Sequence, residues 1–325
     1  MNIQFHLTNA CNLRCRHCYQ GEYDAEIISL LDFDTVLRKT RDFFASIGDP
    51  LYSVALTGGE PMCVPGIEDY FLCADAYCGW LVMMSNGILL TSEKLMALRR
   101  ARHFGAVQVS LEGPKSVNDA IRGQGTYRKI RNAIRLINDA GLRSTVSCTI
   151  APYNYDRVEE LYDDLVRYDS PNRLWFDRCI PFKGFGQITK EQFKVFIDSV
   201  RRMRERQRRE QLPTVPLANR ALQWLINEKS AKYYRCGAGI RHFCVMHNGD
   251  VMVCRRLDFP VGNLLREDWI DIIKRALPIM KEIHALPSEC RGCPKARACN
   301  GGLKCLTHAV YGGYDHKDIN CFFGE

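Results

Sequence analysis

The chain has 325 residues, of which 46% are hydrophobic and 25% charged, as in a soluble globular protein long enough for two domains. It has no run of about 18 apolar residues and no basic stretch followed by an apolar core at its start, so we expect neither a transmembrane helix nor a signal peptide, and a cytoplasmic location. A formal net charge of +8 leaves a nucleic-acid binder open as a class. Without a secretory signal, 16 cysteines favour metal or redox chemistry over a disulfide scaffold.

Strand-like and helix-like segments alternate over residues 1–180. Apolar alternation predicts six strands, near residues 3–8, 51–57, 80–85, 106–111, 144–150 and 173–179. Helical patterns lie between them, near residues 33–47, 66–77, 92–104, 126–140 and 155–168. Strands joined by helices predict a parallel sheet, here with fewer strands than the eight of a closed barrel. Ligands of such folds bind at the carboxyl ends of the strands.

Three cysteines, Cys11, Cys15 and Cys18, follow the first predicted strand within eight residues. Their short spacing lets one loop wrap three thiolates around a metal centre at little cost in loop-closure entropy. Three protein ligands would leave one iron of a 4Fe–4S cluster free to bind a small molecule. A zinc site and three unrelated buried thiols are the alternatives, and zinc would need a fourth ligand, for which His17 is close in sequence.

A second motif, Gly58, Gly59 and Glu60, follows the second predicted strand. Two glycines allow a ligand to approach the backbone, and a glutamate offers its carboxylate to an amine. Together the two motifs resemble those of the radical S-adenosylmethionine (SAM) enzymes, in which CxxxCxxC is followed by an aromatic residue, here Tyr19, that we include among the SAM contacts. The resemblance implies a partial (β/α)6 TIM-like barrel, with the glycine–glutamate motif holding the SAM amino group. It also implies that SAM chelates the open iron and is cleaved to methionine and a 5′-deoxyadenosyl radical.

The later strand ends carry further candidate contacts to SAM. Under the resemblance these are Ser85, Asn86, Ser110, Glu112, Arg122 and Ile150. Ser110 looks like a ribose contact, Arg122 would form a forked pair with the SAM carboxylate, and Ile150 would pack against adenine. Glu112 stands where many relatives have Asp. Each position also has an ordinary alternative, namely a turn, a surface arginine or a core residue.

Residues 181–230 are predicted to form a helical linker after the barrel at 1–180. A flexible loop at 183–187 precedes a long amphipathic helix near 189–210, and a shorter helix is predicted near 217–228. The long helix ends in a basic run at 201–209. Such a run can bind nucleic acid or an acidic peptide leader, but it is more often a solvated helix face. Because no aromatic residues interleave with it, we do not expect a nucleic-acid partner.

Residues 231–325 form a second, cysteine-rich domain. It contains Cys236, Cys244, Cys254, Cys290, Cys293, Cys299, Cys305 and Cys321. The segment 243–253 predicts a hairpin around Asn248-Gly249-Asp250. Taken alone, the spacing fits a four-cysteine zinc ribbon as well as iron–sulfur clusters.

With the first motif, this region resembles the SPASM domain, which binds two auxiliary 4Fe–4S clusters, for a total of three. The interval between Cys299 and Cys305 has five residues where three are usual. If Cys244 is a ligand, both auxiliary clusters are fully ligated and should transfer electrons. The resemblance assigns one cluster to Cys236, Cys244, Cys254 and Cys305 and the other to Cys290, Cys293, Cys299 and Cys321.

The resemblance implies a peptide maturase that abstracts hydrogen from a ribosomally made peptide and forms a thioether or carbon–carbon crosslink, or another oxidative modification. An external electron donor such as flavodoxin or ferredoxin is expected. Because the first cysteine is already residue 11, we also expect a separate leader-binding protein or leader-independent binding. No membrane partner is expected.

Three alternatives remain open from the sequence. One is a sulfatase-maturating, formylglycine-forming enzyme, although such relatives carry Asp where this chain has Arg255. The others are a radical SAM enzyme acting on a small molecule and a zinc-binding nucleic-acid module without enzymatic activity. No catalytic residue is assigned, and Cys148 and Cys179 are expected to be ordinary buried thiols.

Overall fold

One continuous sheet carries the fold. The computed structural model of the protein describes residues 1–21, 23–181, 185–219, 236–257 and 259–323. Within these residues the sheet has ten strands in the order β10-β9-β8-β1-β2-β3-β4-β5-β6-β7. The strands are β1 (Asn2–His6), β2 (Ser53–Thr57), β3 (Trp80–Ser85), β4 (Phe104–Ser110), β5 (Arg143–Ile150), β6 (Arg173–Arg178), β7 (Val215–Ala218), β8 (His242–Val245), β9 (Asp250–Met252) and β10 (Gly262–Asn263). Neighbours from β8 through β1 to β7 are parallel, whereas β8–β9 and β9–β10 are antiparallel.

Helices connect the parallel strands. They are α1 (Leu30–Ser46), α2 (Ile67–Asp75), α3 (Ser92–Leu98), α4 (Lys115–Arg122), α5 (Thr126–Asp139), α6 (Val158–Tyr168), α7 (Lys190–Glu210), α8 (Trp269–His284), α9 (Ala296–Cys299) and α10 (Lys304–Tyr311). Side-chain caps fix where two of the longest begin. Ser29 accepts the Asp32 N–H at the start of α1, and Thr189 forms a capping box with Gln192 at the start of α7. No helix in the described part of the chain is both long and apolar enough to cross a membrane.

The predicted partial barrel is confirmed. All six predicted strands and the five helices between them are present, with bounds that differ by a few residues. Helices α4, α8, α9 and α10 were not predicted, and neither were β7 and β10. The helix predicted near 217–228 is wrong at Leu217 and Ala218, which belong to β7. Residues 220–228 of that segment, with Lys183 and Gly184 of the predicted loop, lie outside the described residues.

Alternating burial explains why these segments form strands. In β3 the buried positions include Leu81 and Met83, and in β4 they include Val107 and Val109, all with no exposed surface. Successive strand side chains point to opposite faces, so every second residue enters the core under the helices. Cys148 of β5 is fully buried in the same layer.

Strand β8 extends the barrel sheet, because it pairs in parallel with β1, Asn2 opposite His242. The antiparallel β8–β9 hairpin confirms the turn predicted around residues 248–250. Helix α8 covers this extension. Its Trp269 is buried, packs edge-on against Phe243 and donates its indole N–H to Thr40 Oγ1 at 3.0 Å. The cysteine-rich region therefore shares its core with the barrel.

A buried ion pair ties the last residues of the chain to β6. Arg178 donates to both carboxylate oxygens of Asp318, at 2.6 and 2.5 Å, and to Asn320 Oδ1 at 2.8 Å. The Arg178 guanidinium also lies 4.7 Å from the ring centroid of Phe193 on α7. Both charged side chains are at least nine-tenths buried, so each depends on the other for its counter-charge.

The basic run on α7 is largely paired with acidic side chains. Arg202 forms an ion pair with Glu159, and Arg206 forms one with Asp163, both on α6. Because each of these four side chains is at least 38% exposed, their pairs add little stability. They do neutralise much of the run within the fold, which fits the interpretation of 201–209 as a solvated helix face.

Replacing Arg178 tests the buried pair. Arg178→Met is expected to lower the free energy of unfolding by about 3–5 kcal/mol, because the buried Asp318 carboxylate loses its counter-charge. Urea unfolding followed by circular dichroism under anaerobic conditions measures the change. Arg201→Met is the matched control, since its pair with Asp198 is exposed and its loss should cost less than about 1 kcal/mol. Equal losses in the two variants would contradict a stabilising role for the buried pair.

Candidate functional site

The loop after β1 brings three thiols to the carboxyl end of the sheet. Each sulfur accepts an N–H. Leu13 N donates to Cys11 at 3.4 Å, Gln20 N donates to Cys18 at 3.4 Å, and Arg122 donates to Cys15 at 3.7 Å. N–H donors to sulfur stabilise thiolates, the form in which cysteine binds metal. Burial raises the pKa of the Cys11 thiol to about 11, so a bound metal would be needed to hold that thiol deprotonated at neutral pH.

The spacing of these thiols favours a centre larger than one metal ion. Among the described residues, the one trio of His, Cys, Asp or Glu ligand atoms within 4.8 Å of one another belongs to Asp24, Glu26 and His247. Sulfur atoms around a tetrahedral zinc ion lie roughly 3.8 Å apart, given Zn–S bonds of about 2.3 Å. The loop thiols do not form such a trio, so in this arrangement they do not surround a single zinc ion. The nearby His17 has its Nε2 3.3 Å from the Glu112 carboxylate.

The glycines at the end of β2 are required by the chain's own backbone. A Cβ on Gly59 would lie 2.4 Å from the Ala10 carbonyl oxygen, and one on Gly58 would lie 2.5 Å from that of Thr8. Two backbone hydrogen bonds of 2.8 Å, from Gly59 N to Thr8 O and from Glu60 N to Ala10 O, join this turn to the loop after β1. Only glycine allows this approach, which fixes the turn against the cysteine loop.

Glu60 is a fully buried carboxylate held by uncharged donors. It accepts hydrogen bonds from Ser85 Oγ at 2.8 Å, Asn86 N at 2.6 Å and Met62 N at 3.1 Å. Burial, only partly offset by these donors, raises its pKa above the ordinary value. An amine brought next to Glu60 would favour the ionised form. Asn86 also donates its side-chain amide to Asn12 Oδ1 at 2.7 Å and thus connects Glu60 to the cysteine loop.

Glu112 is a second buried carboxylate, in a different environment. Its Oε1 accepts from Arg122 Nε at 3.0 Å, and its Oε2 accepts from Thr149 N at 2.8 Å. Burial alone would raise its pKa, but the charge of Arg122 and the nearby His17 lower it to about 2. Arg122 is thus engaged with Glu112 and Cys15 in this structure. The Glu112–Arg122–His17 network was not predicted, although His17 and Arg122 had been singled out separately.

The remaining predicted contacts lie around the same end of the sheet. Ser110 ends β4 half-buried, and Ile150 ends β5 with 1% of its surface exposed. Tyr19 follows the cysteine loop. The Arg255 guanidinium lies over the Tyr19 ring, 4.8 Å from the ring centroid. Cys179 is buried and donates to the carbonyl of Ile180 at 3.4 Å, as expected for an ordinary thiol.

Three of the downstream cysteines lie close enough to influence one another's ionisation. Burial, followed by the neighbouring Cys254, raises the pKa of Cys305 to about 12. Burial also raises the pKa of Cys236, and the neighbouring Cys305 adds to that shift. Cys244 also lies near Cys254, but its sulfur faces Met246 Sδ at 4.0 Å in a small apolar cluster.

Arg256 links this group to the barrel. It donates to both oxygens of Asp177 on β6, at 2.9 and 2.5 Å, and it forms a hydrogen bond with Cys305. Asn219 adds a hydrogen bond of 3.0 Å to the same carboxylate. The sequence placed Arg256 beside a cluster ligand but carried no signal for its partner on β6.

The other four downstream cysteines line one cavity. Phe193 of α7 and Asp318 also contribute to its wall, so the cavity lies between α7 and the end of the chain. The cysteines are Cys290, Cys293, Cys299 and Cys321. Four thiols around one space match the ligand count of a 4Fe–4S cluster.

The depressed pKa of Glu112 predicts a pH dependence of stability. Its ionised form is favoured in the fold, so its contribution is complete above the ordinary pKa of 4.5 and is lost as the pH falls to about 2. The difference in unfolding free energy between the wild type and Glu112→Gln is expected to be about 3 kcal/mol near neutral pH and to shrink below pH 4.5. Urea titrations at several pH values measure this difference. The exposed Glu205→Gln control should differ little from the wild type throughout, and a pH-independent difference for Glu112→Gln would contradict the assignment.

Two family models match the chain. The radical SAM superfamily matches residues 5–165, and the SPASM iron–sulfur cluster-binding domain matches residues 236–294. The first match includes the loop cysteines and the glycine–glutamate turn. The second ends before Cys299, so the last three cysteines lie beyond it.

Relatives and solved structures agree with these matches. The sporulation killing factor maturation protein SkfB of Bacillus subtilis is 27% identical over 291 residues, which span 88% of this chain and 68% of SkfB. The mycofactocin maturase MftC of Mycolicibacterium smegmatis is 26% identical over 357 residues, 99% of this chain and 82% of MftC. The crystal structure of Streptococcus suis SuiB bound to its precursor peptide SuiA has a TM-score of 0.77 at 15% identity, covering 99% of this chain and 75% of SuiB, and shows the shared fold. The chain therefore belongs to the radical SAM superfamily of enzymes and carries an iron–sulfur cluster-binding SPASM domain after its partial barrel.

Proposed function

We propose that this protein is a peptide maturase that modifies a ribosomally made peptide by forming a crosslink or another oxidative change. The observation that carries the proposal is the arrangement at the carboxyl end of the sheet. There, three thiols with N–H donors lie beside the turn that holds the buried Glu60. The names of the relatives support a peptide substrate, since SkfB and MftC are maturation proteins and SuiB was crystallised with a precursor peptide.

Eleven cysteines would hold three 4Fe–4S clusters. Cys11, Cys15 and Cys18 would bind the first and leave one iron without a protein ligand. The chemistry supplied by that cluster with bound SAM is reductive cleavage to a 5′-deoxyadenosyl radical, which removes hydrogen from the peptide. The two auxiliary clusters would be held by Cys236, Cys244, Cys254 and Cys305 and by Cys290, Cys293, Cys299 and Cys321.

The buried residues around the cysteine loop would orient SAM. Glu60 would accept the SAM amino group, since Ser85 and Asn86 already fix its carboxylate by hydrogen bonds. Arg122 would turn from Glu112 toward the SAM carboxylate, or its guanidinium would donate to both carboxylates at once. The turn at Gly58 and Gly59, with Tyr19, Ser110, Glu112 and Ile150, would complete the pocket.

The chain would divide by role into a barrel at 1–180, a linker at 181–230 and an auxiliary-cluster domain at 231–325. Arg256 would anchor the third part to the barrel through Asp177 and keep the charge of the Cys305 thiolate balanced. An external flavodoxin or ferredoxin would supply electrons, and a separate leader-binding protein would present the precursor if one is used.

Two substitutions separate the roles of cluster and SAM contacts. Cys15→Ala should lower formation of 5′-deoxyadenosine by at least about 10³-fold, because the variant lacks a ligand of the cluster that would cleave SAM. Glu60→Gln should weaken SAM binding by roughly 10–100-fold, as expected for the loss of a charge-assisted hydrogen bond. Chromatography of the nucleoside product over a range of SAM concentrations measures both effects. Cys73→Ala is the control thiol, since Cys73 lies on α2 and donates to Asp34 Oδ1. A Cys15→Ala variant with full turnover would contradict the proposal.

Mass spectrometry of a co-expressed peptide tests the substrate class. The protein should be produced with the short peptide encoded beside its gene, and a crosslink should appear as a loss of two hydrogens from the peptide mass. The Cys15→Ala variant produced with the same peptide is the control and should leave the mass unchanged. Unmodified peptides from every neighbouring gene would contradict crosslinking.

A further inference from the structure

A cavity of about 320 Å³ opens beside the cysteine loop. Its walls come from the loop after β1, from α4, from the segment after β5 and from the segment after β6, all at the carboxyl end of the sheet. Its volume is at the lower end of the roughly 300–1,000 Å³ range of ligand pockets. The space suits one large side chain together with the backbone around it.

Most of the cavity wall is apolar. Val117 and Ile121 of α4 form one side, and Tyr153 and Phe185 form the other, with their rings edge-to-face at 5.7 Å. Within the described residues, the Tyr153 hydroxyl is buried and has no hydrogen-bond partner. A buried hydroxyl without a partner costs free energy.

One cation stands at the rim of the cavity. Arg16 lies between two cluster-loop cysteines, and its backbone N–H donates to Ile121 O at 3.0 Å, which fixes the loop to α4. Its guanidinium lies 5.8 Å from the ring centroid of Phe185 and is exposed. No carboxylate in the described part of the chain forms an ion pair with it, in contrast to Arg122 or Arg256.

We propose that this cavity is a specificity subsite for the substrate peptide, which takes a large apolar side chain while Arg16 pairs with a carboxylate next to it. The inference rests on the proposed function and deepens it by naming the substrate chemistry, an acidic group adjoining an apolar residue. Arg16 follows Cys15 directly, so a peptide held here has its neighbouring residues beside the radical source. Proximity of that kind selects which carbon reacts.

Binding of defined synthetic peptides to the holoenzyme tests the subsite. The probes are fluorescein-labelled, C-terminally amidated hexapeptides that contain Asp-Phe, Asn-Phe, Asp-Ser or Lys-Phe at their centre, measured by anisotropy with SAM present. We expect the Asp-Phe peptide to bind about tenfold more tightly than either the Asn-Phe or the Asp-Ser peptide. Equal affinities for all four peptides would overturn the proposal.

Variants assign the charge preference to Arg16. Arg16→Gln should reduce the preference for Asp-Phe over Asn-Phe to below about twofold while the preference for Phe over Ser remains. Arg16→Glu should favour the Lys-Phe peptide instead. Arg100→Gln, at an exposed position before β4, is the matched control and should behave as the wild type. An Arg16→Gln variant with correct iron content that still distinguishes Asp from Asn would exclude Arg16 as the recognition residue.

Two further measurements separate failure of the subsite from failure of the proposed function. A peptide ending in Phe with a free carboxylate, compared with its amide, shows whether the anion comes from the chain end or from an acidic side chain. Formation of 5′-deoxyadenosine without any peptide reports the radical chemistry independently. Cleavage of SAM without discrimination among the peptides would overturn the subsite alone, whereas discrimination without cleavage would overturn the proposed function and leave the binding preference standing.

Discussion

The close approach of two backbone segments organises the site. Gly58 and Gly59 lie so near the loop after β1 that any side chain would collide with the carbonyl oxygens of Thr8 and Ala10. Backbone hydrogen bonds between the two segments continue the pairing of β1 and β2 beyond the ends of the strands. The cysteine loop is therefore held against the turn that carries Glu60. Parallel strands bring such loops to one edge of a sheet, and here glycine allows them to touch.

Two buried carboxylates at this edge differ because their partners differ. Glu60 has only uncharged donors, so burial dominates and raises its pKa, and a cationic ligand group would complete its environment. Glu112 already has the guanidinium of Arg122, which lowers its pKa to about 2 and leaves it ionised. The first carboxylate is thus suited to receive an amine, and the second is suited to hold an arginine beside Cys15. A glutamate at the end of each strand thus has a different protonation behaviour, set by its neighbours.

The second cysteine region is part of the barrel's structure. β8 pairs with β1, Arg256 forms an ion pair with Asp177 of β6, and Arg178 forms one with Asp318 near the end of the chain. Each contact joins residues more than 70 positions apart and satisfies groups that would otherwise be buried alone. Connections of this kind hold the two sets of cysteines at a fixed separation within one fold.

The sequence by itself determined the six barrel strands, the cysteine loop and the glycine–glutamate turn, because alternation of apolar residues and short ligand spacing are local properties. It also singled out the cysteines that line the cavity near Asp318. It could not reveal β7, the union of β8 with β1, or the partners of Glu112 and Arg256. Those depend on contacts between distant segments, and no local pattern records which buried charge will meet which. The cavity beside Arg16 likewise exists only because segments that follow four different strands meet at one edge of the sheet.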